Sequence, residues 1–165
     1  MSKTEENLQA AFAGEWQANR KYLAFALRAE REGYTQVARL FRAAAEAETV
    51  HAHSHLRALA GINSTAENLE AAIAGENYEA VSMYPDFLKE AVEADNSKAI
   101  RTFEYALAAE KVHEQLYREA LANLSKEEEA YDYYVCPACG HTHARFAPDE
   151  CPVCGVKGEK FILVH

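Results

Sequence analysis

The sequence lacks any apolar stretch long enough to cross a membrane. A membrane-spanning helix needs about 20 consecutive apolar residues, and charged side chains interrupt every run before that length. The first seven residues, MSKTEEN, also lack the apolar core of a secretory signal peptide. We therefore expect a soluble, cytoplasmic protein.

Basic side chains are scarce as well. The chain has 17 Lys and Arg residues against 26 Asp and Glu residues, which gives a formal net charge of −9. This deficit disfavours nucleic acids and anionic membrane surfaces as partners, because both attract basic patches. The acidic excess is instead suited to binding cations.

Cysteine is absent until position 136, and the last 30 residues hold two CPxCG motifs. In a reducing cytosol, paired cysteines indicate a metal site rather than disulfides. The glycine of each motif can adopt a left-handed conformation, so that backbone N–H groups reach the sulfur atoms. The motifs predict one tetrahedral site, called here the four-cysteine site, and spacing alone leaves iron and zinc both open. Its ligands are Cys136, Cys139, Cys151 and Cys154.

Helical periodicity dominates the chain before these motifs. Apolar residues recur at steps of three and four in four regions, which are 4–32, 35–60, 65–94 and 97–124. Gly33 and Gly61 are expected to end the first two helices, and Ser64 with Glu67 matches a capping box for the third. Pro85 predicts a kink or a boundary inside the third region.

The apolar stripes of these helices contain two Glu-x-x-His pairs. Glu48 precedes His51, and Glu110 precedes His113, and residues three apart share one face of a helix. One such pair alone is weak evidence, since both residue types are common on solvated helix faces. The duplicate raises its significance, because two pairs can hold two metal ions.

An internal repeat supports the same reading. The tripeptide AGE occurs at 13–15 and at 74–76, and Glu15 precedes Glu48 by 33 residues while Glu76 precedes Glu110 by 34. Duplicated helix pairs of this kind pack as an antiparallel four-helix bundle with a di-iron carboxylate site at mid-height.

Metal ions would explain why these carboxylates lie on apolar stripes. An unpaired buried carboxylate costs several kcal/mol, and a ligand set this rich in oxygen favours iron over zinc. His55, one turn beyond His51, is a weaker ligand candidate, and the inward Tyr22 could donate a hydrogen bond near the metals or only fill space.

With these motifs the chain resembles the rubrerythrin family over essentially its whole length. The resemblance is carried by Gly14-Glu15 with Asn19-Arg20-Lys21-Tyr22, Gly75-Glu76-x-x-Glu79 with Met83-Tyr84-Pro85, both Glu-x-x-His pairs and both CPxCG motifs. It implies an all-α, ferritin-like four-helix bundle over residues 1–124. A linker at 125–130 and a small rubredoxin-like β domain at 131–165, which holds the four-cysteine site, would follow.

The resemblance also implies site roles that periodicity does not assign. The position matching Glu79 supplies an additional carboxylate ligand, and on reduction one iron moves from that carboxylate to His51. The positions matching Tyr22 and Tyr84 lie close to the metals. Exchange of a carboxylate for an imidazole would keep the site near neutral in both oxidation states.

The implied activity is that of a non-haem di-iron peroxidase in oxidative-stress defence. Hydrogen peroxide is reduced to water, and electrons arrive through iron in the four-cysteine site from a rubredoxin or another NAD(P)H-linked donor. Alternatives are a ferroxidase or oxygen reductase, an iron-storage protein, and a zinc-ribbon interaction module on an inert bundle.

We also expect a homodimer or higher homo-oligomer. His113 precedes the end of its helix by about ten residues, or about 15 Å. From that distance we expect the four-cysteine iron of one subunit to serve the di-iron site of another.

Overall fold

A computed structural model describes residues 2–126 and 130–165. The chain forms two compact units, Met1–Asn63 and Ser64–His165. Of the predicted linker at 125–130, residues 127–129 lie outside the described residues. None of the helices formed by the described residues is both long and apolar enough to cross a membrane.

The first unit is an antiparallel helix pair. Helix α1 spans Lys3–Arg31 and begins with a capping box between Ser2 and Glu5, and helix α2 spans Thr35–Ala58. Gly33 lies in the connection with a φ of +84°, a left-handed conformation that favours glycine. The predicted end of the first helix near this glycine is therefore confirmed.

Alanines line the seam between α1 and α2. Ala38, Ala45 and Ala52 are spaced seven residues apart and are at most 2% exposed. The apolar pattern of the sequence predicts an inward stripe for α2 one position earlier, on Val37, Ala44 and His51. The difference arises because small side chains let the two helices approach closely, while larger side chains flank the seam.

The helices of the second unit begin with α3, which spans Thr65–Tyr78 and is capped by the predicted box of Ser64 and Glu67. A π-helical segment, Glu79–Met83, then leads into helix α4, Tyr84–Glu93. Pro85 lies in the first turn of α4, where its missing N–H is tolerated. The predicted boundary near Pro85 is thus confirmed, but the π-helical turn was not foreseen.

Helix α5 spans Ser97–Asn123, and the Asn96 side chain caps it by accepting a hydrogen bond from the Ala99 N–H. It packs against α3, the π-helical segment and α4. The rings of Tyr84, Phe87 and Phe103 form an aromatic cluster between α4 and α5, with centroids 5.6 to 6.3 Å apart.

Residues 130–165, called here the cysteine lobe, complete the second unit. Within the described residues they form three short antiparallel strands in the order β2-β1-β3, namely β1 Tyr133–Val135, β2 Thr142–Ala144 and β3 Ile162–Val164. The buried cysteines form the core of the lobe, and Tyr105 of α5 packs against them. The lobe is therefore joined to α5 through its metal-binding side.

Candidate metal centres

The first unit brings together Glu15 of α1 with Glu48 and His51 of α2, called here the first triad. One ligand atom from each residue lies within 4.8 Å of the others. The His51 Nδ1 is 2.9 Å from Glu48 Oε2, and the histidine side chain is 55% exposed. The triad therefore offers two carboxylates and one accessible imidazole to a cation.

A buried Asn19 sets the register of the first triad. Its Nδ2 donates to the Ala45 carbonyl at 2.7 Å and to Thr49 Oγ1 at 2.9 Å. Asn19 lies one turn beyond Glu15, and these bonds fix α1 against the turn of α2 that carries Glu48. The apolar periodicity of α1 predicts that Asn19 faces inward, but it gives this residue no role.

The Glu48 carboxylate is stabilised in its charged form. Hydrogen bonding with His51, and then with Glu15, holds its pKa below the ordinary value despite partial desolvation. Two carboxyl groups in such close contact repel one another when both are ionised. A cation placed among these atoms would remove that repulsion.

The second unit repeats the arrangement with Glu76 of α3 and Glu110 and His113 of α5, the second triad. Its ligand atoms also lie within 4.8 Å of one another. The His113 Nδ1 is 2.8 Å from Glu110 Oε2 and 3.9 Å from Glu76 Oε1. This histidine is less exposed than His51, at 27% against 55%.

Negative charge accumulates around the second triad. Burial, reinforced by the adjacent Glu110 carboxylate, raises the pKa of Glu76 to about 7. Hydrogen bonding to His113 lowers the pKa of Glu110, and hydrogen bonding to Glu110 raises the pKa of His113. Without a cation, therefore, ionisation of Glu76 is disfavoured at neutral pH. Carboxylates and an imidazole arranged in this way fit a metal ion.

Glu79 and Tyr84 lie close enough to the second triad for its charges to act on both. Burial and then the Glu110 charge raise the pKa of Glu79. Burial and the charges of Glu110, Glu79 and Glu76 raise the pKa of Tyr84. Glu79 is nevertheless not among the three residues whose ligand atoms converge.

Tyr22 lies on the same helix as Glu15, and its place near the metals stays a prediction. It lies seven residues along α1 from Glu15, which is about 10 Å of helix. Its ring packs against Phe25 and Phe41, with centroids 6.4 and 6.1 Å away.

The sulfurs of the four-cysteine site form the third metal-binding cluster. All four Sγ atoms lie within 4.8 Å of one another, and Cys136 with Cys154, and Cys139 with Cys151, are 3.5 Å apart. A tetrahedral ion with metal–sulfur bonds of about 2.3 Å has sulfur–sulfur edges of about 3.8 Å. The cluster therefore fits the predicted tetrahedral site.

The backbone of each CPxCG motif supports the cysteine cluster in the predicted way. Gly140 and Gly155 have φ angles of +78° and +74°. Burial opposes ionisation of Cys136, but hydrogen bonds from the Ala138 and Cys139 backbone outweigh it and lower its pKa to about 7. A thiolate, the form that binds metal, is thus favoured at that position.

The cysteine lobe lies directly against the second triad. The His113 Nε2 is 2.9 Å from Oγ1 of Thr142 in β2. A Cβ added at Gly140 would lie 3.9 Å from the Ala109 Cβ, which shows how closely the motif approaches α5. The sequence expectation that helix length separates His113 from its own lobe is therefore wrong, because the chain turns back along α5.

Thr142 was missed by sequence reasoning, since a threonine in a short strand carries no metal-binding signal. His141 is only 7% exposed, and neither of its ring nitrogens has a hydrogen-bond partner among the described residues. His143 is hydrogen-bonded through Nδ1 to the Ala144 carbonyl at 3.0 Å.

Two family models match the chain. The model described as rubrerythrin matches residues 6–121, and the model described as the rubrerythrin, rubredoxin-like domain matches residues 134–162.

Curated relatives match along nearly the full length. Rubrerythrin-2 of Clostridium acetobutylicum is 36% identical and aligns with 96% of this chain and 95% of its own. Rubrerythrin of Porphyromonas gingivalis is 38% identical, with coverages of 93% and 86%. Nigerythrin of Nitratidesulfovibrio vulgaris is 37% identical, with coverages of 93% and 83%.

Solved structures of nigerythrin resemble this chain as well. The mixed-valence state has a TM-score of 0.60 at 36% identity, and covers 99% of this chain and 88% of its own. The fully reduced, all-ferrous state has the same TM-score and coverages at 35% identity. Together with the helices, the small sheet and the four-cysteine cluster, these matches confirm the fold class predicted from the sequence.

Proposed function

Because the chain belongs to the rubrerythrin family of di-iron proteins, we propose that it is a peroxidase that reduces hydrogen peroxide to water. Family membership supports an oxidoreductase role in oxidative-stress defence. The choice of peroxide as substrate and the delivery of electrons from an NAD(P)H-linked donor are parts of the proposal.

The cofactors are a di-iron pair bound by carboxylates and histidines and one metal ion in the four-cysteine site. We assign the ligands of the pair to both triads together with Glu79. When bound, iron supplies the two electrons that reduction of peroxide requires. The ligands are Glu15, Glu48, His51, Glu76, Glu79, Glu110 and His113.

The contact between the cysteine lobe and the second triad carries the proposal. Thr142 of the lobe touches His113, and Tyr105, from the same helix as His113, packs on the cysteines. A redox-active iron held by the four cysteines would be joined to a carboxylate site by protein atoms alone. An iron-storage protein or an inert bundle would not require such a connection.

Nearby side chains have properties suited to this reaction. Burial and three carboxylates raise the pKa of Tyr84 above its ordinary value of 10. Its hydroxyl is therefore protonated at neutral pH and can donate a hydrogen bond to an oxygen of the substrate. The exposed His51 can turn toward or away from an ion, whereas Glu79 lies beside the second triad. We propose that these two residues exchange as ligands when the oxidation state changes.

The proposed external partner is a rubredoxin or another NAD(P)H-linked electron donor that reduces the four-cysteine iron. We also expect a homodimer or higher homo-oligomer. The acidic net charge of −9 favours a donor with a basic contact surface.

Metal analysis combined with turnover tests the proposal. Protein loaded with three irons per chain should consume peroxide continuously with NADH and a suitable reductase. In the comparison protein, zinc occupies the four-cysteine site and iron occupies the carboxylate ligands. After chemical reduction this protein should complete one turnover and then stop. Continuous turnover by the zinc form would contradict the proposed electron route.

The Glu79→Ala variant tests the exchange step. We expect peroxide turnover to fall about tenfold or more, because the iron pair loses the carboxylate whose negative charge balances it in one of its two oxidation states. The matched control is Glu93→Ala, at an exposed position on α4. Unchanged turnover and an unchanged iron position in reduced Glu79→Ala protein would refute the exchange.

A further inference from the structure

A polar link joins α3 and α5 at the level of the second triad. The Asn77 Nδ2 donates to the Glu114 Oε1 at 3.1 Å. Asn77 directly follows Glu76 in α3, and Glu114 directly follows His113 in α5. The link therefore connects the two helical turns that carry the second triad.

Arg118 holds the acceptor of this link. Its Nε and Nη2 donate to the same Glu114 Oε1 at 2.9 and 2.6 Å. Three N–H groups therefore meet at one carboxylate oxygen, and bonds between charged groups are stronger than bonds between neutral ones. The Glu114 side chain is only 17% exposed. Because Arg118 balances the charge of Glu114, the link adds no net negative charge beside the triad.

The internal repeat does not give the second unit the link that the first unit has. In the first unit, Asn19 donates from α1 to α2. The repeat of the AGE tripeptide places Ala80 at the matching position of the second unit, and Ala80 is buried and has no side-chain donor. The second unit has the bond between Asn77 and Glu114 instead.

The second triad benefits from such a link because its carboxylates come from different helices. Ligand atoms of Glu76 and Glu110 lie within 4.8 Å of one another. Carboxyl groups must be ionised to bind a metal ion, and two ionised groups at this distance repel one another. That repulsion favours separation of α3 from α5. The link opposes the separation, and it lies just before the π-helical segment Glu79–Met83.

We propose that Asn77 is a positioning residue that arranges the second triad before a metal ion binds. Its acceptor, Glu114, is held in turn by Arg118. The link keeps α3 and α5 at the spacing and rotation in which Glu76 faces Glu110. A site that is arranged in advance binds more tightly, because less ordering is left to the binding step. The positioning role rests on the part of the proposed function that assigns ligands to the second triad, and not on the choice of peroxide as substrate.

Four variants test the link. Asn77→Ala and Glu114→Ala remove it from its two sides, and alanine is a better helix former than asparagine, so α3 itself is not weakened. Glu114→Gln is the conservative variant, because its amide oxygen can still accept from Asn77. The matched control is Gln115→Ala, which removes an exposed hydrogen bond to Glu119 on the same helix.

Titration of the full-length protein with cobalt(II) measures the positioning role without turnover. One equivalent of zinc first fills the four-cysteine site. NMR then follows the ring protons of His51 and His113, because cobalt(II) bound to a histidine shifts these signals strongly. The His113 signals report the second triad, and the His51 signals report the first.

We expect the cobalt affinity of the second triad to fall by about tenfold or more in Asn77→Ala and in Glu114→Ala. Glu114→Gln and Gln115→Ala should stay within about twofold of wild type. The double variant of Asn77→Ala with Glu114→Ala should lose no more than either single variant, because both remove the same hydrogen bond. The first triad should keep its affinity throughout.

Equal affinity of the second triad in wild type and Asn77→Ala, or equal losses at both triads, would overturn the positioning role. Circular dichroism checks that each variant keeps its helices. If Asn77→Ala does not fold, Glu114→Ala tests the same bond from α5.

These readouts separate failure of the inference from failure of the proposed function. If wild-type protein binds cobalt at both triads but does not reduce peroxide, the proposed peroxidase function fails and the positioning role stands on the titration. If wild-type protein binds no cobalt at the second triad, the assigned ligand set fails and the positioning role fails with it.

Discussion

At the scale of single residues, the second triad gathers more negative charge than the metal-free protein accommodates easily. In the second triad this appears as the pKa of Glu76, raised to about 7 by burial and by Glu110. The carboxylates that can bind a metal ion therefore lower the stability of the metal-free protein. When cations bind, the same carboxylates contribute favourably to folding stability.

The Glu76→Gln variant should make this effect visible in metal-free protein. Because the pKa of Glu76 in the folded state lies above its ordinary value of 4.5, the folded state binds more protons between about pH 4.5 and 7. The contribution of Glu76 to the free energy of unfolding therefore falls as pH rises through that window. We expect Glu76→Gln to be more stable than wild type by about 1 kcal/mol at pH 8, after allowance for solvent screening, and nearly equal at pH 4.5.

Urea unfolding at several pH values measures this difference. Glu93→Gln, at an exposed position on α4, is the matched control and should follow the wild type throughout. A stability difference between Glu76→Gln and wild type that does not change with pH would show that Glu76 is not held in a perturbed state.

Asn19 permits a second residue-scale prediction. Asn19→Ala removes both hydrogen bonds to α2 and leaves the buried Ala45 carbonyl without the amide donor, at a cost of about 1–3 kcal/mol in the free energy of unfolding. Asn7→Ala, at an exposed position on the same helix, should change it by less than about 0.5 kcal/mol. Denaturant unfolding measures the change in the free energy of unfolding of each variant. Equal losses in Asn19→Ala and Asn7→Ala would contradict the role given to Asn19.

At the scale of helices, the sequence predicted most of what positions the triads. Stripes with a period near 3.6, the Ser64 capping box and Gly33 located the helices to within a few residues, because these signals act locally. The Glu-x-x-His spacing likewise placed Glu48 with His51 and Glu110 with His113. Their convergence with Glu15 and Glu76 followed from the internal repeat.

The π-helical segment Glu79–Met83 could not be predicted in the same way. A π-helical turn accommodates one extra residue within a helix, and no residue type specifies it. Its formation depends on how α3 and α4 both pack against α5. It lies immediately at Glu79, the carboxylate whose role only the family resemblance suggested.

Deletion of Val81 tests what the extra residue contributes. Val81 is 61% exposed, so its removal takes little from the core, and the shortened helix can become regular α-helix. We expect helix content to be kept, as measured by circular dichroism, while Glu79 rotates by about 100° away from Glu110. The affinity of the second triad for a metal ion should fall by about tenfold or more.

Val81→Ala is the control for this deletion, since it shortens the side chain but keeps the helix register. It should bind two ions at the carboxylate ligands with nearly wild-type affinity. Equal metal binding by the deletion variant and Val81→Ala would mean that the π-helical turn does not position Glu79.

At the scale of the whole molecule, sequence reasoning identified the parts but not the contact between the cysteine lobe and α5. Chain length limits how far apart two residues can lie, yet it does not give the direction in which the chain returns. Thr142 therefore reaches His113 although the two lie 29 positions apart in the chain. The domain boundaries at 124 and 131 remain predictions.

The most direct test of the central claim is stopped-flow oxidation of the fully reduced, iron-loaded protein by hydrogen peroxide and by oxygen, at equal concentrations. If the protein is a peroxidase, we expect peroxide to oxidise the carboxylate irons much faster than oxygen does. Oxidation of the four-cysteine iron should follow. Faster oxidation by oxygen than by peroxide would contradict the account and favour a ferroxidase or oxygen reductase.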